Sequence, residues 1–84
     1  MPSKDEFRTE LRARLRRASE RGAREVEINS GELHRSLGGY PGNNHQMRSC
    51  CDVMHEECGA GDEVILSPPS GRGATLTIRY RLPR

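Results

Sequence analysis

The sequence predicts a small α+β domain in which three helices and a short first strand precede a C-terminal two-stranded hairpin. Apolar residues recur at helical spacing near the N-terminus, polar and apolar residues alternate near the C-terminus, and glycine-rich and proline-rich segments separate the elements between them. A chain of 84 residues is long enough for one domain with a thin core. Residues 1–84 are therefore interpreted as a single unit.

The first helix is predicted over residues 4–22. Ser3 and Glu6 have the spacing of a capping box at its start, and Gly22 provides the stop. The apolar face of this helix consists of Phe7, Leu11, Leu15 and Ala18. Arginines occupy much of the remaining surface, and we interpret them as a solvent-exposed face, with phosphate contact as the alternative.

The middle of the chain predicts a short strand and two helices. Polar and apolar residues alternate over 25–29, which is typical of a strand, and Ser30 is expected to cap a second helix over 31–37. Glycine and proline in residues 38–42 end that helix, and a third helix begins after Asn43 or Asn44. Its inward stripe is predicted to be Met47, Cys50, Cys51, Met54 and Cys58.

The C-terminal part predicts a hairpin. Residues 63–66 form its first strand, residues 68–73 form its tip, and residues 74–82 alternate as a second strand. Arg79 and Arg81 belong to the outward face of that strand. Its inward face is predicted to be Ala74, Leu76, Ile78, Tyr80 and Leu82.

Over residues 4–82, this order of elements resembles a three-helix winged helix-turn-helix domain with a hairpin wing. Segments such as Gly39–Gly42, Cys50-Cys51 and Gly73–Tyr80 are also similar to small uncharacterised bacterial proteins, a similarity that implies no function. The winged-helix resemblance implies binding of double-stranded DNA, often by regulators of transcription, with the third helix in the major groove and the wing on a neighbouring groove or the backbone. Some winged helices hold protein partners instead.

Carried over to this chain, the resemblance implies an interface on the third helix and the wing. Gln46, Arg48 and Ser49 are candidate readers of bases, and Arg72 at the wing tip is a candidate for the minor groove. The full set of candidate DNA-binding residues is Asn43, Asn44, Gln46, Arg48, Ser49, Arg72, Arg79 and Arg81. Carboxylates of the same helix, Asp52, Glu56 and Glu57, are expected to repel phosphate. The alternative is an adaptor that binds a protein partner through the third helix.

Composition limits the other functional classes to which the protein could belong. Charged residues make up 31% of the chain with a net charge of only +2, so a local basic patch can bind DNA but the whole surface is not basic. No apolar run reaches the length of a membrane span, and the N-terminus lacks the apolar stretch of a secretory signal. Three cysteines do not form a disulfide framework, which favours reduced thiols and a cytoplasmic location.

The sulfur and imidazole groups raise the question of a metal site or a catalytic thiol. Cys51, His55 and Cys58 share one helical face and have ligand types that zinc prefers, but the same spacing is typical of core packing, which we favour. No orienting partner identifies a cysteine nucleophile, and the Gly-x-x-x-x-Gly-Lys spacing of a phosphate loop is missing. The sequence therefore predicts neither an enzyme nor a bound cofactor.

Overall fold

The computed structural model describes residues 3–38, 47–69 and 73–84, and it is a small α+β fold with three helices and three strands. This confirms the predicted class and the predicted order of elements. The elements are α1 (Lys4–Glu20), β1 (Glu25–Asn29), α2 (Ser30–Leu37), α3 (Met47–Glu57), β2 (Glu63–Leu66) and β3 (Thr77–Arg81).

The start and end of α1 follow from its sequence. The Ser3 side chain accepts a hydrogen bond from the Glu6 amide, and the Glu6 side chain accepts one from the Ser3 amide, which confirms the capping box. The helix ends at Glu20, two residues before the predicted end. Gly22 adopts a positive φ of 85°, which reverses the chain towards β1.

The three strands form one antiparallel sheet in the order β1-β3-β2. β3 is central: Ile78 pairs with Ile28 of β1 on one side and with Val64 of β2 on the other. The predicted hairpin is thus extended by β1 into a three-stranded sheet. An irregularity between Val64 and Leu66 shifts the register of β2.

The second hairpin strand is shorter than the predicted range of 74–82. Residues 74–76 precede β3, because the start of α2 takes the place of a strand partner there. The amide of Ser30 donates to the Leu76 carbonyl at 2.8 Å, and the amide of Gly31 donates to the Ala74 carbonyl at 3.2 Å. Four of the five predicted inward residues are buried, namely Leu76, Ile78, Tyr80 and Leu82, and the fifth, Ala74, is half-buried against the core.

The cap of α2 was assigned to the wrong residue. Asn29 is the N-cap, and its side chain accepts from the Glu32 amide at 3.1 Å. Ser30 is instead the first residue of the helix, and its hydroxyl donates to the Gly73 carbonyl. Asn29 and Ser30 are both good capping residues. Because the Ser30 hydroxyl is bonded to Gly73, it is Asn29 that caps the helix.

The core lies between the helices and one face of the sheet. Phe7, Leu11 and Leu33 are completely buried, and the Tyr80 hydroxyl donates to the Met54 carbonyl at 2.9 Å. His34 is also completely buried, with its ring 4.9 Å from that of Phe7 in an edge-on arrangement. Within the described residues, no helix has the length and apolar character needed to cross a membrane.

Candidate nucleic-acid interface

α3 turns its sulfur-rich side into the core, as predicted. Met47, Cys50, Cys51 and Met54 are buried, whereas Cys58, just beyond the helix, is half-buried. Val53 is completely buried as well, although it was not in the predicted stripe. The outward side of the first turn contains exposed Arg48 and half-buried Ser49, and that turn has no acidic residue.

The end of the β2–β3 connection is fixed against the same half of α3. The amide of Gly73 donates to Cys51 Sγ at 3.3 Å, and the Cys51 thiol lies 3.4 Å from the Gly73 carbonyl oxygen. That carbonyl also accepts from Ser30 of α2 and from the Leu76 amide. Gly73 is therefore bonded to α2 and α3 at once, and we call this arrangement the Gly73 junction.

The junction requires small residues on the α2 side. A Cβ atom on Gly31 would lie 3.0 Å from the Ala74 carbonyl oxygen and 3.3 Å from the Ala74 Cβ. The helix and the loop thus approach more closely than any larger residue permits without movement. Sequence reasoning did not find this role of Gly31, because glycine at the second position of a helix resembles ordinary capping chemistry.

The predicted interface residues fall into three groups. Arg48 and Ser49 lie on the first turn of α3, close in sequence to Cys51 and hence to the Gly73 junction. Arg79 and Arg81 lie on β3. Asn43, Asn44, Gln46 and Arg72 are outside the described residues, although Arg72 directly precedes Gly73 in the sequence.

Arg79 lies among carboxylates on the outer face of the sheet. Its guanidinium is 3.2 Å from a Glu27 oxygen, 3.7 Å from Glu25 and 3.7 Å from Glu63. The hydrogen bond that Arg79 donates to Glu27, and then the charges of the neighbouring glutamates, raise the pKa of Arg79. Ile78 and Tyr80, its neighbours on β3, point into the core. The positive charge of Arg79 is therefore balanced within the sheet.

Arg81 is exposed but distant from the Gly73 junction. A strand rises about 3.4 Å per residue, so Arg81 lies about 14 Å further along β3 than Thr77. Its amide donates to Asp62 Oδ1 at 2.7 Å, and its side chain passes beside Gly61. The structure thus does not bring Arg79 and Arg81 together with Arg48.

The carboxylates at the end of α3 are paired with α1. Glu56 accepts from Lys4 and from Arg8, the latter at 2.8 Å, and Glu57 accepts from Arg12 at 2.8 and 3.1 Å. The hydrogen bond from Lys4 lowers the pKa of Glu56, and that from Arg12 lowers the pKa of Glu57. The expected repulsion of phosphate by these two carboxylates is therefore reduced. The sequence did contain a signal for these ion pairs, because Lys4, Arg8 and Arg12 are spaced four residues apart on one face of α1.

The cysteines of α3 belong to the core. Cys50 is completely buried and its thiol contacts the Ser30 carbonyl at 3.6 Å. Burial raises the pKa of Cys50 to about 12, so the thiol is protonated at neutral pH. Among residues 3–38, 47–69 and 73–84, no three His, Cys, Asp or Glu side chains are grouped as metal ligands.

Comparison of the chain with family models, with curated proteins and with solved structures gave no match. The geometry of the site joins a helix with an outward, acid-free first turn to the end of a hairpin connection whose sequence contains an arginine between two glycines.

Proposed function

We propose that this protein binds double-stranded DNA as a winged helix, with α3 in the major groove and the β2–β3 connection as the wing. The order of elements and the position of β3 between β1 and β2 support this assignment. An α-helix fits the width of the major groove, and a hairpin connection beside it can reach the adjacent backbone or minor groove.

The Gly73 junction is the observation that carries the proposal. A helix and a wing act on one duplex only if their relative position is set by the protein, and the contacts between Gly73, Cys51 and Ser30 link the two. Arg72 is the neighbour of Gly73 in the sequence, and Arg48 is one helical turn before Cys51. Two arginines thus flank the junction along the chain.

In this proposal, residues near the start of α3 read the duplex. Arg48 and Gln46 pair with base edges, each worth about 1–3 kcal/mol of discrimination, and Ser49 adds a weaker polar contact. Arg72 enters the minor groove or contacts phosphates, and Asn43 and Asn44 donate to phosphate.

Charge supports placing the DNA at the start of α3 and not at its end. Arg48 is exposed and has no ion pair within the described residues. At the other end of the helix, Glu56 and Glu57 are held by α1. Because Arg79 is balanced by three glutamates, the proposal assigns it to the stability of the sheet. Arg81 supplies at most a peripheral backbone contact.

The proposal is tested by fluorescence anisotropy with a labelled random duplex over a range of salt concentrations. Binding is expected at low salt and should weaken steeply as salt displaces the phosphate contacts. Arg72→Ala should weaken binding to all sequences and reduce the salt slope by about one. Arg48→Ala should relax base preference at one position, which is measured with duplexes that differ at single base pairs.

Arg16→Ala is the matched control, because Arg16 is an exposed arginine of α1, away from α3's first turn. It should leave affinity within about twofold, as expected for loss of one distant charge. Absence of duplex binding at low salt, or equal effects of Arg16→Ala and Arg48→Ala, would overturn the proposed interface.

A further inference from the structure

The outer side of β1 is an unpaired edge of the sheet within the described residues. The Arg24 carbonyl accepts from the Leu82 amide at 2.9 Å, and the Ser30 amide donates to Leu76 at 2.8 Å. Backbone groups of an antiparallel strand alternate between its two sides, so residues 24, 26, 28 and 30 face β3. Glu25 and Glu27 therefore direct their amides and carbonyls away from the sheet.

Three arginines of α1 border this free edge. Arg14, Arg17 and Arg21 follow one another at intervals of three and four residues and line a groove with Val26 and Ile28 of β1. The arginines thus form a stripe on the groove beside the edge, which we call the α1 arginine stripe.

The positive charge of the α1 arginine stripe is only partly balanced. Glu10 is 3.0 Å from Arg14 and 3.6 Å from Arg17, so one carboxylate serves two guanidiniums. The Arg17 side chain is 54% exposed, and Arg21 is exposed without an ion pair among the described residues. The Glu27 carboxylate, on the outer face of the sheet, is bonded to Arg79.

We propose that the β1 edge and the α1 arginine stripe bind an extended acidic peptide segment as an additional antiparallel strand. The peptide backbone pairs with Glu25 and Glu27, and acidic side chains at alternate positions face the arginines. The acidic side chains on one face of the bound strand are about 7 Å apart, whereas successive arginines of the stripe are about 5 Å apart along the helix axis. Long arginine side chains are flexible enough to span this difference.

The free backbone groups favour a peptide over a nucleic acid. Each outward residue offers an acceptor carbonyl beside a donor amide, and a peptide strand supplies the complementary donor and acceptor at the same spacing. A phosphodiester backbone offers acceptors only, so it would satisfy the amides and leave the carbonyls unpaired. The site uses no residue of the proposed DNA interface, so either proposal can fail without the other.

The probe is a fluorescein-labelled octapeptide of alternating Glu and Thr, tested by anisotropy with the full chain. Saturable binding that weakens with salt is expected, and the double variant Arg17→Gln, Arg21→Gln should weaken it about tenfold or more, as for two charge-assisted hydrogen bonds. Arg16→Gln is the matched control, because it removes a charge from another face of α1. It should leave affinity within about twofold.

Two methylated peptides test the strand pairing. In an antiparallel pair, residues opposite Glu25 and Glu27 share their outer face, so the peptide's Thr amides point at β1 and its Glu amides point away. N-methylation of the Thr amides should abolish binding, whereas N-methylation of the Glu amides should preserve it. Equal binding of both methylated peptides would show that the peptide binds by unspecific charge attraction and not by strand pairing, and this would overturn the proposal. Unchanged peptide binding by the double variant would also overturn the proposal.

Discussion

Cys51 and Gly73 are bonded to each other in both directions, with the Gly73 amide 3.3 Å from the Cys51 sulfur and the Gly73 carbonyl oxygen 3.4 Å from it. A thiol both donates and accepts weakly, so it can satisfy both backbone groups of one residue. This pair connects the third helix to the end of the hairpin connection, so the Cys51 thiol has a structural role there.

Replacement of Cys51 by alanine should loosen this connection. The Gly73 amide loses its partner and the core loses a sulfur atom, so we expect the free energy of unfolding to fall by about 1–3 kcal/mol. The Gly73 amide should also show a changed chemical shift and faster hydrogen exchange. Denaturation in urea and NMR measure these two effects. Cys58→Ala, at a half-buried position, is the control and should cost less than about 1 kcal/mol. Unchanged exchange at Gly73 would contradict the assigned contact.

A methyl group at Gly31 should be destabilising even though alanine favours helices. The added Cβ would lie 3.0 Å from the Ala74 carbonyl oxygen, so α2 and the loop must separate. We expect a loss of about 1–3 kcal/mol in the free energy of unfolding, as for overpacking elsewhere. Gly59→Ala is the matched control, because its new Cβ would meet only Asp62 Oδ2 at 3.9 Å. If both variants have the same stability, the close approach at Gly31 is wrong.

Stability should fall at acid pH through Asp62. Its side chain is 2% exposed; burial raises its pKa, but hydrogen bonds from Arg84 and from the amides of Arg81 and Gly59 outweigh burial, so the net pKa is lowered. A carboxylate with a lowered folded-state pKa stabilises the fold above its unfolded pKa of about 4, and that contribution is lost as pH falls through the folded-state pKa.

Thermal or urea denaturation between about pH 2 and pH 7 measures this dependence. The wild-type free energy of unfolding should decline below about pH 4, and Asp62→Asn should be less stable at pH 7 with a shallower decline. Glu63→Gln, a change at the adjacent exposed carboxylate, should largely preserve the wild-type profile. A decline as steep in Asp62→Asn as in the wild type would contradict the role of Asp62.

Arg79 should contribute to the sheet and not to DNA binding. Arg79→Gln leaves Glu25, Glu27 and Glu63 close together without a cation, which should lower the free energy of unfolding, more at low salt. Its affinity for duplex DNA should stay within about twofold of the wild type. Calorimetry and anisotropy on the same preparation check both results. A loss of DNA affinity as large as that of Arg72→Ala would show that Arg79 belongs to the DNA interface.

Local periodicity was sufficient to predict most of the fold. The inward stripes of α1 and α3 and the alternation of Leu76, Ile78 and Tyr80 were all predicted correctly, because burial of one face leaves a regular pattern in the sequence. Val53 was missed because α3 is covered by α1 and α2, so its buried face is wider than one stripe.

Features that depend on distant partners were not predictable in this way. Both Asn29 and Ser30 are good capping residues, and the choice between them depends on Gly73, 43 positions after Ser30. Alternation correctly placed Arg79 on the outer face of β3, but its carboxylate neighbours depend on the pairing of β3 with both β1 and β2. The Gly73 junction was not predicted for the same reason, because it depends on contacts between residues that are distant in the sequence.

The most direct test of the central claim is an NMR titration of the labelled protein with a short random duplex at low salt. The account predicts progressive shifts concentrated in the amides of residues 43–52 and 70–74, which disappear when the salt concentration is raised. Shifts that are absent, scattered over the surface, or confined to the end of β3 around Arg79 and Arg81 would contradict it.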